Sequence, residues 1–445
     1  MSFQDLLISY LKERLMYRFP LLFLLICCLS CSGSSNLSTR YSDPFNNQDQ
    51  GLLLVSNQLP APDSFQSIQL YRKGNVDNPP IITLNNREKL VLEFDELTSI
   101  SAQFRITFEH FDQNWNPSNI PEAWYLDGFN ELIISGGEKN TLSKPNFFHY
   151  KTEFPNNVLK FTTSGNYLLN VYDYSSNTKL FSIPFFVTEQ TGEITSRVET
   201  LFNSGNNFSA SDQLFSVYEY PKEVEFPQFD LAFSFVQNRF WGNAKSTSTF
   251  DITTPGKVRF YTPRSNSFPA GFDFIPLDLT DLNINLDKIE DWQPEFTPPR
   301  IFLKRDILNF SASPSTSYNT NFGRPDSKRD SRYAETTFRF DSGSLNTKNT
   351  ELYVAGDFNS WILDSESKLK YNPETNLWTS RFLIKQGTYR YKYFLKNRGS
   401  VNTEPVPIND SITKRYQEYQ SFVYYLDPEK KYHRLLITSS FNSGN

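Results

Sequence analysis

From Ser67 onward, short apolar runs alternate with clusters of Pro, Gly, Asn, Asp and Ser at the spacing of strands joined by turns. Residues 67–71 and 81–84 begin the series, and 89–94 and 103–108 alternate apolar and polar positions almost without exception. Successive strand side chains point to opposite faces, so this alternation predicts one face on a core and the other in water. The runs 167–172 and 183–187 close a first unit, which we set at residues 52–190. A second series, with 225–235, 258–261 and 272–279 as its clearest members, predicts a middle β domain over 191–310. Residues 311–332 are rich in Ser, Asn, Thr, Arg and Asp and read as a linker or long loop. Strand-like runs at 335–340, 351–355, 378–384, 387–395 and 419–426 predict a third unit over 333–440. Beyond the N-terminal region no run carries the 3.6-residue period of an amphipathic helix. The expected fold class is all-β, built of tandem immunoglobulin-like β-sandwich domains.

The N-terminus carries a different pattern. Residues 21–30 form an apolar run preceded by Arg18, too short to span a bilayer and ordered like a secretory signal. Residues 1–31 therefore read as a signal peptide, with Met16 as an alternative start. The sequence Leu29-Ser30-Cys31-Ser32-Gly33 resembles a bacterial lipobox, which makes Cys31 the candidate lipidation site; plain signal cleavage is the alternative. Residues 32–51 read as a flexible tether. The tether has no acidic cluster of the kind that sends some lipoproteins to the cell exterior, so the expected location is the periplasmic face of the outer membrane.

Composition sharpens the picture in two ways. The chain has 41 Phe and 24 Tyr against 2 Met, a balance that suits pleated, half-buried surfaces. Its three cysteines, Cys27, Cys28 and Cys31, all lie in the N-terminal apolar stretch, which leaves the folded body no thiol for a disulfide, a metal or a nucleophile. Without its first 31 residues the chain has 41 basic against 47 acidic side chains, a mild acidic excess with no basic block, so nucleic acid is not an expected partner. At 445 residues the chain is long enough for two or three domains, each with its own core.

Reactive chemistry is sparse. His110, His149 and His433 are dispersed without metal-ligand spacing, and no nucleophile elbow, phosphate-cradling loop or dinucleotide fingerprint occurs. No cofactor is expected. A glycosidase needs only two carboxylates facing each other across a cleft, and the sequence leaves that open.

The densest constellation runs from Phe108 through His110, Asp112, Asn114 and Trp115 to Trp124, Tyr125, Asp127 and Phe129. Trp, Tyr and Phe are the residues enriched at protein interfaces, so Trp115, Trp124, Tyr125 and Phe129 are candidate partner-binding residues. The alternative is that the tryptophans cover the end of the first sandwich while Asp112, Asn114 and Asp127 bond turn backbones. In the third unit, Gly356-Asp357-Phe358-Asn359-Ser360-Trp361 precedes Gly387-Thr388-Tyr389-Arg390-Tyr391-Lys392. The pair resembles glycogen-binding or early-set immunoglobulin-like domains, which implies an early-set C-terminal sandwich. It also makes Trp361 and Lys392 candidate carbohydrate-binding residues. Sugar-binding members carry a second tryptophan in the following hairpin, where this chain reads Asn397-Arg398-Gly399-Ser400, so Trp361 reads better as a core or corner residue.

Taken together, several segments resemble the plug proteins of the type IX secretion system. The carrying residues are Ser67-Ile68-Gln69-Leu70-Tyr71-Arg72, Leu92-Glu93-Phe94-Asp95, Gln113-Asn114-Trp115-Asn116-Pro117-Ser118, Tyr125-Leu126-Asp127-Gly128-Phe129 and Thr163-Ser164-Gly165-Asn166-Tyr167. The resemblance implies a non-enzymatic cap on the periplasmic mouth of the outer-membrane translocon barrel. The expected partners are that barrel and, through the lipid, the membrane, the chain being monomeric apart from the complex. A carbohydrate-binding lipoprotein is the alternative.

Overall fold

The computed structural model describes residues 52–202, 210–282, 288–307, 324–325, 331–343, 345, 347, 349–398, 403–406 and 416–443. The signal peptide, Cys31, the tether, the tip of the 397–400 hairpin and most of the 311–332 linker lie outside them. The described chain is all-β, in three two-sheet sandwiches. No helix among the described residues is long and apolar enough to cross a membrane.

In the first sandwich, strands Phe65–Arg72, Leu90–Glu96, Phe148–Phe154 and Glu138–Lys139 make one sheet. Ile81–Thr83, Lys179–Thr188, Gly165–Asp173, Gln103–Phe111 and Glu131–Ser135 make the other. The alternation read from the sequence fills the space between them. Leu90, Leu92 and Phe94 from one side meet Phe104, Ile106 and Phe108 from the other, and Tyr167, Leu169, Phe185 and Val187 complete the core. Edge-to-face rings such as Phe94 on Phe104, with centroids 5.3 Å apart, recur through it.

Gly165–Asp173 and Lys179–Thr188 are buried on both faces along most of their length, and their second faces mix apolar side chains with buried Asn166, Asn170 and Ser182. Leu168 and Phe186 point away from the first core and pack with Val236, Phe422, Tyr424 and Leu435 of the middle sandwich. That sandwich pairs Leu231–Gln237 with Glu418–Leu426, and Glu418–Leu426 with His433–Asn442. Its second sheet holds Glu193–Phe202, Ala210–Glu219, Lys257–Tyr261 and Phe250–Thr254.

These ladders cross the boundaries expected from sequence. The last two strands, placed by sequence in the 333–440 unit, complete the middle sandwich. Ile275–Asp278, placed in the 191–310 unit, pairs with Gly387–Asn397 of the third, and Arg300–Leu303 lies parallel to Tyr333–Asp341. Within 311–332, Arg324–Pro325 adds to the edge of Gly387–Asn397. Strand pairing is non-local, and the face pattern of 418–426 suits any sheet edge with a core to cover. The three sandwiches are further held by the segment 52–55. Leu53 and Val55 join the apolar cluster between the first and middle sandwiches, and Leu52 and Leu53 touch the one that holds Trp361. Gly242 admits this segment, since a Cβ there would stand 2.1 Å from the Leu54 carbonyl oxygen.

Candidate interaction surface

The aromatic loop after Gln103–Phe111 divides into a buried half and an exposed half. Asp112 organises the first part. Its Oδ1 accepts the backbone N–H groups of Asn114 (2.8 Å) and Asn116 (2.9 Å), and its Oδ2 accepts Nδ2 of Asn116 (3.0 Å). This turn holds Trp115 at φ +61° and aims its ring inward, against Phe111 and Phe186. Trp115 is 6 % exposed, and its carbonyl accepts Nδ2 of Asn57 (2.8 Å). Nearby, Asn166 donates to the Asp112 carbonyl and accepts the hydroxyl of Tyr424, both at 3.0 Å. Trp115 is thus an interface residue, but of an interface inside the chain, between the first and middle sandwiches. Tyr125 is also removed from the surface: it is 8 % exposed within the first core, and burial pushes its hydroxyl up to about 12. Neither ring can meet a partner without unfolding its surroundings.

Trp124 and Phe129 are the two candidates that face solvent, at 48 % and 65 %. They flank a two-stranded ladder of Leu126–Gly128 with Leu159–Phe161, whose inner side chains Leu126, Leu159 and Phe161 belong to the first core. Trp124 ends a short 3-10 turn, and its carbonyl accepts the hydroxyls of Thr162 (3.0 Å) and Thr163 (2.7 Å). Phe129 donates its N–H to the Val158 carbonyl at 2.7 Å, which sets it beside Val158, itself half exposed. Gly128 makes this approach possible, with φ +93° and a position where a Cβ would stand 2.2 Å from the Val158 oxygen. Val158 was not a candidate from sequence, because only the pairing of two distant segments brings it to Phe129. The surface offers aromatic and aliphatic area on a hydrogen-bonded base.

The carbohydrate candidates are core residues. Trp361 is 1 % exposed, edge-on to Phe240 and Phe274, and its Nε1 donates to Asp357 Oδ1 at 3.0 Å. Asp357 also takes a bidentate guanidinium from Arg390 (3.0 and 3.1 Å) and the Arg390 N–H (2.7 Å). Asn359 closes the turn by accepting the Gly356 N–H and donating to the Ile362 carbonyl, both at 2.9 Å. Lys392 is buried against the carboxylate of Asp273. The Trp361 indole N–H is bonded to Asp357 and the Lys392 amine to Asp273, and both side chains are buried, which leaves these two residues no exposed ring face or amine for a sugar.

His110 and His149 are likewise bonded within the fold. His110 is buried, with Nε2 3.0 Å from the Ser164 carbonyl and Nδ1 2.7 Å from the Ser118 hydroxyl. A carbonyl only accepts, so the ring is the neutral tautomer with its proton on Nε2. Burial depresses its pKa to about 4. Among the described residues no cluster of three or more His, Cys, Asp or Glu side chains could hold a metal ion.

The first sandwich, with its exposed ladder, is the part of the chain that comparison with known families identifies. Residues 65–189 match the family described as Type 9 secretion system plug protein 1st domain. The match begins at the first core strand and ends with Lys179–Thr188, so it covers the whole first sandwich, including Trp124 and Phe129. No curated protein matches the chain. Among solved structures, a hypothetical protein from Parabacteroides merdae superposes with a TM-score of 0.77 at 22 % identity, over 86 % of this chain and 98 % of that one. At that identity the likeness establishes a shared fold across all three sandwiches. The C-terminal domain of the Streptococcus pyogenes antigen I/II-family protein AspA reaches a TM-score of only 0.16 at 7 % identity, over 84 % of this chain and 99 % of that one.

Proposed function

We propose that this chain is a non-enzymatic component of the type 9 secretion system that caps the periplasmic opening of its outer-membrane translocon barrel. The observation that carries the reading is the plug-domain match over residues 65–189, which coincides with one complete sandwich. Closing a pore requires shape and affinity rather than chemistry, and a stack of sandwiches joined by buried contacts supplies a rigid body. Trp124 and Phe129, on the matched sandwich, are the docking residues in this reading. Lipidation at Cys31 would hold the protein beside the barrel and raise its effective concentration there. We also read the third sandwich as early-set in type, serving as a structural part of the cap.

The test is a mild-detergent pull-down of tagged full-length protein from native membranes, together with outer-membrane permeability in a deletion strain. Copurification with a very large barrel and a leakier membrane are expected. A folded protein that leaves the barrel behind and a deletion that changes nothing would end the reading.

A further inference from the structure

A second surface lies outside the matched region. Between strands Ala210–Glu219 and Leu231–Gln237, the middle sandwich carries the turn Lys222-Glu223-Val224-Glu225-Phe226-Pro227-Gln228-Phe229-Asp230. Val224 is 3 % exposed in the middle core and Pro227 is buried, so every third residue anchors the turn. Phe226 and Phe229 point the other way, at 55 % and 76 % exposed. The backbone is fixed by hydrogen bonds from Val224 N–H to the Pro221 carbonyl (3.1 Å) and from the N–H groups of Phe229 (2.9 Å) and Asp230 (3.0 Å) to the Phe226 carbonyl. Pro227 removes further backbone freedom.

Two aromatic rings are thus held in water on a stiff support, the arrangement that lowers the ordering cost of an interface anchor. Their surroundings are acidic. The turn has three carboxylates, Glu223, Glu225 and Asp230, against Lys222, and Arg434 approaches Glu223 at 3.8 Å from strand His433–Asn442. Carboxylates beside the rings oppose insertion among anionic lipid headgroups and oppose the packing of two such turns against each other. They favour a basic rim.

We propose that Phe226 and Phe229 form a knob that docks in an apolar pocket of a protein partner whose rim carries lysine and arginine. The knob lies on the middle sandwich, outside the matched region that carries Trp124 and Phe129. The inference rests on the secretion-system reading only in placing that partner at the outer membrane.

The test places the photoreactive analogue benzoylphenylalanine at position 229 of the full-length chain in native cells, with a control at Tyr371, an exposed residue of the third sandwich. A light-dependent protein adduct at 229 and not at 371, mapped to an apolar peptide flanked by Lys or Arg, is expected. Glu223→Lys with Glu225→Lys should lower its yield roughly tenfold. Phe226→Ser should lower it while the fold, read by circular dichroism, stays intact. No adduct at 229, equal adducts at both positions, an adduct to lipid or to a second copy, or indifference to charge reversal each overturns the proposal. Barrel copurification in the same membranes separates the two ideas: an adduct without the barrel sinks the capping reading and leaves the knob, and the barrel without an adduct does the reverse.

Discussion

Asp95 of the first sandwich and Lys385 of the third form an ion pair at 2.7 Å, with side chains 0 % and 2 % exposed. Tyr333 donates its hydroxyl to the same carboxylate oxygen at 2.8 Å, and burial raises the Tyr333 pKa well above its ordinary value. His149 meets the other oxygen at 2.7 Å. Removing one partner of a buried pair strands the other charge, which costs about 3 to 5 kcal/mol, whereas exposed pairs contribute about 0 to 1 kcal/mol. Lys385→Met is therefore expected to lower the thermal midpoint strongly. Lys73→Met, which breaks the exposed pair with Glu153, should barely move it. Differential scanning calorimetry of both variants checks this, and equal shifts would refute the role assigned to the buried pair.

A pH effect follows from His110. Unfolded, the ring takes a proton near 6.5; folded, it resists one until about 4, because burial disfavours the cation. Above pH 6.5 both states are neutral and His110 contributes no pH dependence. As pH falls through that window the unfolded state gains protons first, so stability declines, by about 3 kcal/mol in all. His433 is depressed in the same sense, also by burial. Urea unfolding of His110→Gln should show a flatter decline between pH 7 and pH 4, though not a flat one. An unchanged profile would mean that His110 is not the titrating group.

Local alternation made the cores legible. Phe104, Ile106 and Phe108 face the first core as their spacing required. The same alternation placed Glu93 in water, yet it is 2 % exposed, and Asp95, just beyond that run, is 0 % exposed. Tyr71 and Lys151 bond Glu93 from within the first sandwich, whereas the cover of Asp95 comes from far along the chain, Lys385 standing 290 residues away. The swap of 418–442 into the middle sandwich has the same origin: the pattern shows that a strand has a core face, and tertiary contacts choose the core. At the candidate surface, Trp115 and Trp124 look alike in sequence. The Asp112 turn and the distant rings of Phe186, Trp241 and Phe422 take in the first, and nothing comparable covers the second.

The corner built on Gly356-Asp357-Phe358-Asn359-Ser360-Trp361 gives a prediction that separates packing from sugar binding. Trp361→Ala removes a fully buried ring and should destabilise by about 3 to 5 kcal/mol. Trp361→Phe keeps most of the apolar volume but loses the bond to Asp357, a smaller cost of about 1 to 3 kcal/mol. In affinity electrophoresis through glucan, the wild type and Trp361→Phe should migrate alike, without retardation. Retardation of the wild type that Trp361→Phe abolishes would restore the carbohydrate reading.

The exposed ladder makes the opposite prediction from the buried loop beside it. Trp124→Ser with Phe129→Ser removes two solvent-facing rings, and substitutions at such positions change stability by about 0.5 kcal/mol or less. Trp115→Ala removes a ring packed between two sandwiches and should cost about 3 to 5 kcal/mol. If the first sandwich docks through its outer ladder, the double serine variant keeps its thermal midpoint and loses copurification with the barrel. Trp115→Ala would lose copurification only in proportion to the unfolded fraction, and should regain it at lower temperature. A double serine variant that remains bound at wild-type levels would move the docking site off this ladder while leaving the sandwich and its core untouched.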